Sequence, residues 1–300
     1  GMTYLAVDVH LGKSVALKEY LPVDYAVRAE GNSVSLRSRQ DRDAFEWGRA
    51  AFLREARVLA RFKHRNVVSV HRFFEANGTA YIVMEYVQGE TLGERFLREG
   101  QIEQEALCQL LLPIFDGLAH VHAEGVLHRD VKPDNIVITT AGVPVLIDFG
   151  AARNELGNRS RSAMNAYTTG YAPIEQYSDH HLQGPWTDIY ALGAIAYRAI
   201  AGRKPLDAIA RMTGAHMASA DELGAGRYTP EFLQAVNWAL QIKPADRPTD
   251  LAQWREAILR GGMVGPAPQS SAPAVDGALD FDLDDVGDDA TVMAPGPTAS

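Results

Sequence analysis

The chain reads as an α+β fold in two parts: a small antiparallel sheet with one helix, then a mainly helical lobe. Three observations predict it. Short runs alternating apolar and polar residues, punctuated by Gly-containing turns, recur through residues 1–87 on either side of one helical stretch. From residue 88 the apolar period lengthens to that of helices. From Gly261 the composition shifts to Gly, Pro, Ala, Ser and Asp with few large apolar side chains, too few to offset the entropy of ordering. The expected divisions are 1–87, 88–260 and 261–300, the last a disordered tail or linker.

The elements follow in order. Residues 3–8 and 14–18 suit two strands, and Gly12 supplies the freedom a tight turn needs. The stretch 21–42 carries no legible function, although Val34-Ser35-Leu36 suits a short strand. Over residues 43–62, Phe45, Phe52, Ala56 and Leu59 share one helical face. Residues 67–74 and 80–86 suit strands around the turn Asn77-Gly78. Residues 103–124 place Leu107, Leu110, Leu111, Ile114, Leu118 and Val121 at helical spacing, which predicts a buried central helix with Cys108 as a small core residue. Residues 151–166 are polar without a period and read as a loop. Asp188 opens an apolar helix to about residue 201 as its cap, and helices near 230–241 and 249–260 follow, with Thr229 and Thr249 as N-caps.

Composition narrows the function. The 300 residues suit one two-lobed domain and a tail. The net charge of −9 is concentrated in the tail, where seven Asp and no Lys or Arg follow Arg260. The remainder is nearly balanced, which argues against a nucleic-acid partner. A single Cys excludes an intrachain disulfide and suits a reducing compartment. No apolar run of the ~20 residues that span a bilayer and no secretory signal is expected. His180-His181 have no third ligand at useful spacing, so they read as loop residues.

The chemistry concentrates in His128-Arg129-Asp130-Val131-Lys132-Pro133-Asp134-Asn135 and in Val145-Leu146-Ile147-Asp148-Phe149-Gly150. The first run holds a base candidate, Asp130, a cation two residues on, Lys132, and a neutral oxygen donor, Asn135. The second ends an apolar strand in a carboxylate, Asp148, which suits a hard cation. Phosphoryl transfer asks for such parts: a group orienting a hydroxyl, oxygen ligands for magnesium and positive charge at the transferred phosphate. The ordered set resembles bacterial eukaryotic-like (Hanks-type) Ser/Thr protein kinases, and Lys132 matches the Ser/Thr form of the loop.

That resemblance implies a two-lobed protein-kinase fold, ATP and Mg2+ (or Mn2+) as cofactors, and transfer of the γ-phosphoryl group to protein hydroxyls, the protein's own among them. It implies that Asp130 and Lys132 act in catalysis and that Asn135 and Asp148 hold the metal. Lys18, in Val15-Ala16-Leu17-Lys18, would grip the first two phosphates, held by Glu55 of the helix. Met84 would be the gatekeeper, with the backbone of Glu85 and Val87 on the adenine edge. Residues 151–166 would be the activation loop, ordered through Arg129 when Ser160, Ser162 or Thr168 is phosphorylated. Thr168 also falls where the substrate residue is contacted, although Tyr167 replaces the usual Gly before it. Tyr171-Ala172-Pro173-Ile174-Glu175 resembles the motif closing that loop, with Glu175 paired to Arg247. Asp188 would bond the backbone of the catalytic loop. Thr291, beside Asp288 and Asp289, resembles an autophosphorylation site read by a phosphothreonine-binding module.

One departure stands out. The family covers the phosphates with three spaced glycines between its first two strands, and here only Gly1 stands at the place of the last. As written, the chain is expected to bind ATP weakly. Two alternatives follow: a pseudokinase-type scaffold, and a small-molecule phosphotransferase. A cytoplasmic location is expected, either free or as the cytoplasmic part of a longer membrane-anchored protein.

Overall fold

The computed structural model describes residues 2–149, 169–177 and 182–260. β1 (Met2–Asp8) and β2 (Lys13–Glu19) form an antiparallel hairpin that pairs Leu5 with Ala16. Next come the short strands β3 (Ala26–Arg28) and β4 (Val34–Leu36), which pair only with each other. After α1 (Arg42–Leu59), β5 (Val70–Ala76) and β6 (Thr79–Glu85) complete a four-stranded sheet in the order β1-β2-β6-β5. The β5–β6 turn places Asn77 and Gly78 at φ of 54° and 74°. The flanking strands' twist favours such a turn. Gly78 is also needed for space, because a Cβ there would stand 2.9 Å from the Val34 carbonyl oxygen.

The face of α1 read from the sequence is the buried one: Phe45, Phe52, Ala56 and Leu59 are all in the core. Tyr20 packs against it with its ring tilted, 5.2 Å from Phe45 and 5.7 Å from Phe52 between centroids. Residues 21–42 thus gain a structural role. Leu21 and Ala26 join that cluster, and Arg28 forms an ion pair with the fully buried Glu19. Glu19 also accepts hydrogen bonds from Tyr4 (2.9 Å) and Tyr81 (3.0 Å). The insert ties the end of β2 to the start of α1.

The second lobe opens with β7 (Gly89–Thr91) and α2 (Leu92–Glu99). A capping box joins Thr91 and Glu94, a Thr-x-x-Glu signal readable in the sequence. α3 (Gln104–Ala123) is the central helix, and its predicted apolar face is fully buried. By length and composition it is the one described helix apolar enough to cross a membrane, but half of its apolar window is packed inside this lobe. β8 (Ile136–Thr139) and β9 (Pro144–Leu146) join β7 in a three-stranded sheet. α4 (Pro185–Ala201), α5 (Ala208–Met212), α6 (Ala220–Gly224), α7 (Pro230–Ala239) and α8 (Leu251–Arg260) complete the lobe. Trp254 of α8 is fully buried 4.8 Å from the Phe115 ring of α3, its indole N–H donating to the Ala235 carbonyl.

Two expected caps are corrected. α4 begins at Pro185 after the extended Gly184, so Asp188 lies inside its first turn rather than at its cap. Proline at the first helical position is the start signal there. α8 begins at Leu251, where the Asp250 carboxylate rather than Thr249 accepts the Gln253 N–H at 2.8 Å. Thr229 does occupy the N-cap of α7, but its hydroxyl makes no capping bond and accepts from Gln104 instead.

The lobes are stitched together behind the site. The Leu146 N–H donates to Asn66 (2.8 Å), the Val68 N–H donates to Leu146 (2.9 Å), and the Asn66 side chain donates to Pro144 (2.7 Å). This fixes the loop after α1 against β9, two residues before Asp148.

Candidate active site

Residues 128–135 connect α3 to β8, and Pro133–Asn135 form a single 3-10 turn that holds this loop out of a longer helix. Lys132 Nζ lies 2.9 Å from Asp130 Oδ2. Asn135 Nδ2 donates to the same oxygen (2.9 Å) and to the Asp130 carbonyl (2.8 Å), and reaches the Asp148 carbonyl at 3.5 Å. The amide therefore turns its NH2 toward Asp130, leaving Oδ1 as the end suited to a cation.

Two residues here are in the left-handed region, Arg129 at φ 65° and Asp148 at φ 57°. Such conformations cost on the order of 1–3 kcal/mol each and persist only where surroundings over-determine them. Asp188 is one such surrounding. Fully buried, it accepts the N–H groups of His128 (2.9 Å) and Arg129 (2.8 Å) and contacts His122 Nε2 at 2.7 Å. Burial opposes its ionisation, but the bonds from His122 and the Arg129 N–H outweigh it and hold its pKa below the ordinary value. His128 is another. Its Nε2 lies 3.2 Å from the Ile147 carbonyl, so that nitrogen carries the proton, and Nδ1 is left to accept the Asp130 N–H at 3.3 Å. Complete burial lowers the pKa of His128 and favours this neutral form. One imidazole thereby ties the backbone of Asp130 to that beside Asp148.

Lys18 reaches the site from β2. Its ammonium forms an ion pair with Asp148 and lies 4.0 Å from Glu55 Oε1. The expected Lys18–Glu55 pair is present at the limit of contact, while the closer partner is Asp148. The ammonium lies between two carboxylates and takes the nearer. Asp148 and the Asn135 amide offer hard oxygen donors, which fit Mg2+. Among the described residues no group of three or more His, Cys, Asp or Glu could hold a metal. A cation here would complete its shell with phosphate oxygens and water, as magnesium usually does.

Around this centre, Met84 is buried beside Val68 and Val145, and Val87 packs against the same cluster. The Glu85 N–H donates to Ser69 at 2.9 Å. Glu175 and Arg247 form the expected pair, completely buried, with contacts of 2.7 and 3.1 Å and a further bond from Thr187 to Glu175. Arg129 and Arg54 line a cavity of about 210 Å3 with Glu55 and Phe149. Gly1, Ser160, Ser162, Thr168 and Thr291, and the loop pair His180-His181, lie outside the described residues. The described neighbour Thr169 accepts a hydrogen bond from Lys204 at 2.9 Å. Sequence reasoning missed His122, Gln176 and the connecting role of His128. Only His128, inside the motif, carried a signal that could have pointed to it.

The fold and these convergent groups resemble those of a protein kinase domain, and the comparisons agree. The protein kinase domain family matches residues 23–258. The chain belongs to this family. It is 29% identical over 257 residues to a Ser/Thr protein kinase of Corynebacterium efficiens, covering 83% of this chain and 47% of the relative. It is 31% identical to the Ser/Thr protein kinase PknA of Mycobacterium tuberculosis, with 91% and 61% covered. For PknL of Mycobacterium bovis the values are 30%, 92% and 68%. The chain thus spans about half to two thirds of these relatives' lengths. A solved structure described as PpkA-294 in its apo form superposes with a TM-score of 0.78 at 40% identity, covering 86% of this chain and 91% of that one. Its relatives are bacterial Ser/Thr protein kinases, and the two-lobed kinase fold is the one observed here.

Proposed function

We propose that this domain transfers the γ-phosphoryl group of ATP to Ser or Thr hydroxyls of proteins, its own among them. The convergence of Lys18, Asp130, Asn135 and Asp148, drawn from both lobes onto one cleft, carries the reading. Asp130 orients the attacking hydroxyl and takes its proton as the new O–P bond forms and the bond to the ADP oxygen breaks. Lys132 balances charge on the group in transit, and Lys18, steadied by Glu55, grips the α- and β-phosphates. Asp148 and Asn135 would hold Mg2+, whose charge neutralises the phosphate oxygens. The backbone of Glu85 and Val87 takes the adenine edge beside Met84.

Arg129, with Arg54 across the same cavity, suits a phosphate on Ser160, Ser162 or Thr168. A phosphorylated Thr291 would offer the tail to a phosphothreonine-binding module. We assign the domain to the cytoplasm, where ATP is available. The test is labelled-phosphate transfer from ATP to a generic protein substrate, by this chain and by one extended upstream. Transfer lost in Asp130→Asn is expected. Absence of transfer from both chains, or transfer only to small alcohols, would overturn the reading.

A further inference from the structure

We infer that Gln176 is a positioning residue for phosphoryl transfer, acting through the peptide unit that precedes Asp130. The inference rests on the proposed role of Asp130. Gln176 is buried, with 4% of its surface exposed, in the 3-10 turn Ile174–Gln176 directly after Glu175. Its Nε2 donates to the Arg129 carbonyl oxygen at 2.5 Å. The other end of that peptide unit, the Asp130 N–H, donates to His128 Nδ1. The peptide leading into the base is therefore gripped at both ends, while Asp188 grips the preceding one through the Arg129 N–H.

The three grips act on different motions. Flipping the peptide before Arg129 would relieve its positive φ, and Asp188 opposes this. Flipping the peptide after Arg129 would re-aim Asp130, and Gln176 and His128 oppose that. His128 belongs to the loop itself, so Gln176 is the anchor supplied from outside it. That anchor stands on firm ground, because the adjacent Glu175 is locked by Arg247 and Thr187. A side chain beyond the activation segment thus aims the base.

Variants separate aim from folding. Gln176→Leu keeps the bulk and removes the donor. Its kcat is expected to fall about 10- to 100-fold, as for a small misplacement of a catalytic group, with fluorescent-nucleotide affinity within a few-fold of wild type. Gln176→Glu adds a sharper readout. A carboxylate there faces a carbonyl oxygen and is repelled, whereas a protonated carboxyl donates as the amide did. The titratable groups around the small adjoining cavity are Arg129, Asp130, Tyr171 and Asp188; the guanidinium favours the ionised form of the new Glu, while burial and the two carboxylates favour the protonated one. The activity of Gln176→Glu relative to wild type should therefore rise as pH is lowered from 8 to 6. If Gln176→Leu keeps kcat within twofold, or loses nucleotide binding together with kcat, the inference is wrong. Should the Leu variant not fold, a flat or falling ratio for the Glu variant overturns it alone. A wild-type chain without transfer defeats the proposed function first, which distinguishes the two failures.

Discussion

The catalytic loop and the lysine-bearing strand meet at one cleft but are held in different ways. Asp130 is approached by Lys132 and Asn135, its backbone is bonded to His128, and the turn before it is clamped by Asp188 and Gln176. Lys18 instead lies between two carboxylates, closer to Asp148 and 4.0 Å from Glu55. Backbone grips on buried groups permit one arrangement, whereas an ammonium on a flexible stem exchanges partners at little cost. On the proposed function, the protein would thus fix the direction of attack and leave the phosphate grip adjustable.

That contrast can be broken or sharpened. The largest effect is expected from Asp130→Asn, which keeps the shape and removes the base. kcat should fall by about 10²- to 10⁴-fold with nucleotide affinity unchanged. A loss no greater than that of Glu55→Gln would dissolve the distinction between a fixed and an adjustable half. Arg247→Ala probes the ground beneath the fixed half. It leaves Glu175 buried without its charge partner, and a loss of about 3–5 kcal/mol is expected by urea denaturation. A loss under about 1 kcal/mol would mean that water reaches Glu175 in place of the guanidinium.

Acid should act on the fixed half as well. Burial lowers the pKa of His128 in the folded chain, and His64 is shifted the same way, first by burial and then by the neighbouring His120. The unfolded imidazoles take up protons near pH 6.5 while the folded ones do not, so stability falls as pH drops below that value. For the buried His128 the slope is up to about 1.4 kcal/mol per pH unit until its folded pKa is passed, and for the more exposed His64, screened by solvent, it is smaller. Asp188, held low, adds a second loss only below the ordinary carboxylate range, as pH falls through its folded pKa. Denaturation midpoints constant from pH 7 to pH 5 would show that these imidazoles are hydrated in the folded state. The smallest effect is expected from Glu55→Gln, because Lys18 already has Asp148. The KM for ATP should rise by less than about tenfold with kcat nearly kept, since a pair at this distance contributes on the order of 1 kcal/mol. Abolished activity would make Glu55 as fixed a part as Asp130.

Much of this was legible because its signals are local. Apolar spacing marked α1 and α3, and Asn77-Gly78 marked its turn, since periodicity and turn chemistry act within a few residues. The three-residue strands β3 and β7 escaped notice, being too short to display a period. Asp188 reads as a cap from its place before an apolar run, yet Pro185 starts the helix; its bond to the catalytic-loop backbone 59 residues away, which the family resemblance implies, is present.

The amino-acid order alone determined the set of groups on which the proposed chemistry rests, because Asp130, Lys132 and Asn135 fall within one short loop whose backbone brings them together wherever it lies. Only the tertiary structure decided that Lys18 meets Asp148 across 130 residues, that Gln176 holds the Arg129 carbonyl, and that Glu19 anchors the insert. Such contacts depend on how sheet, helix and loop pack as a whole, and packing leaves no periodic trace in the chain.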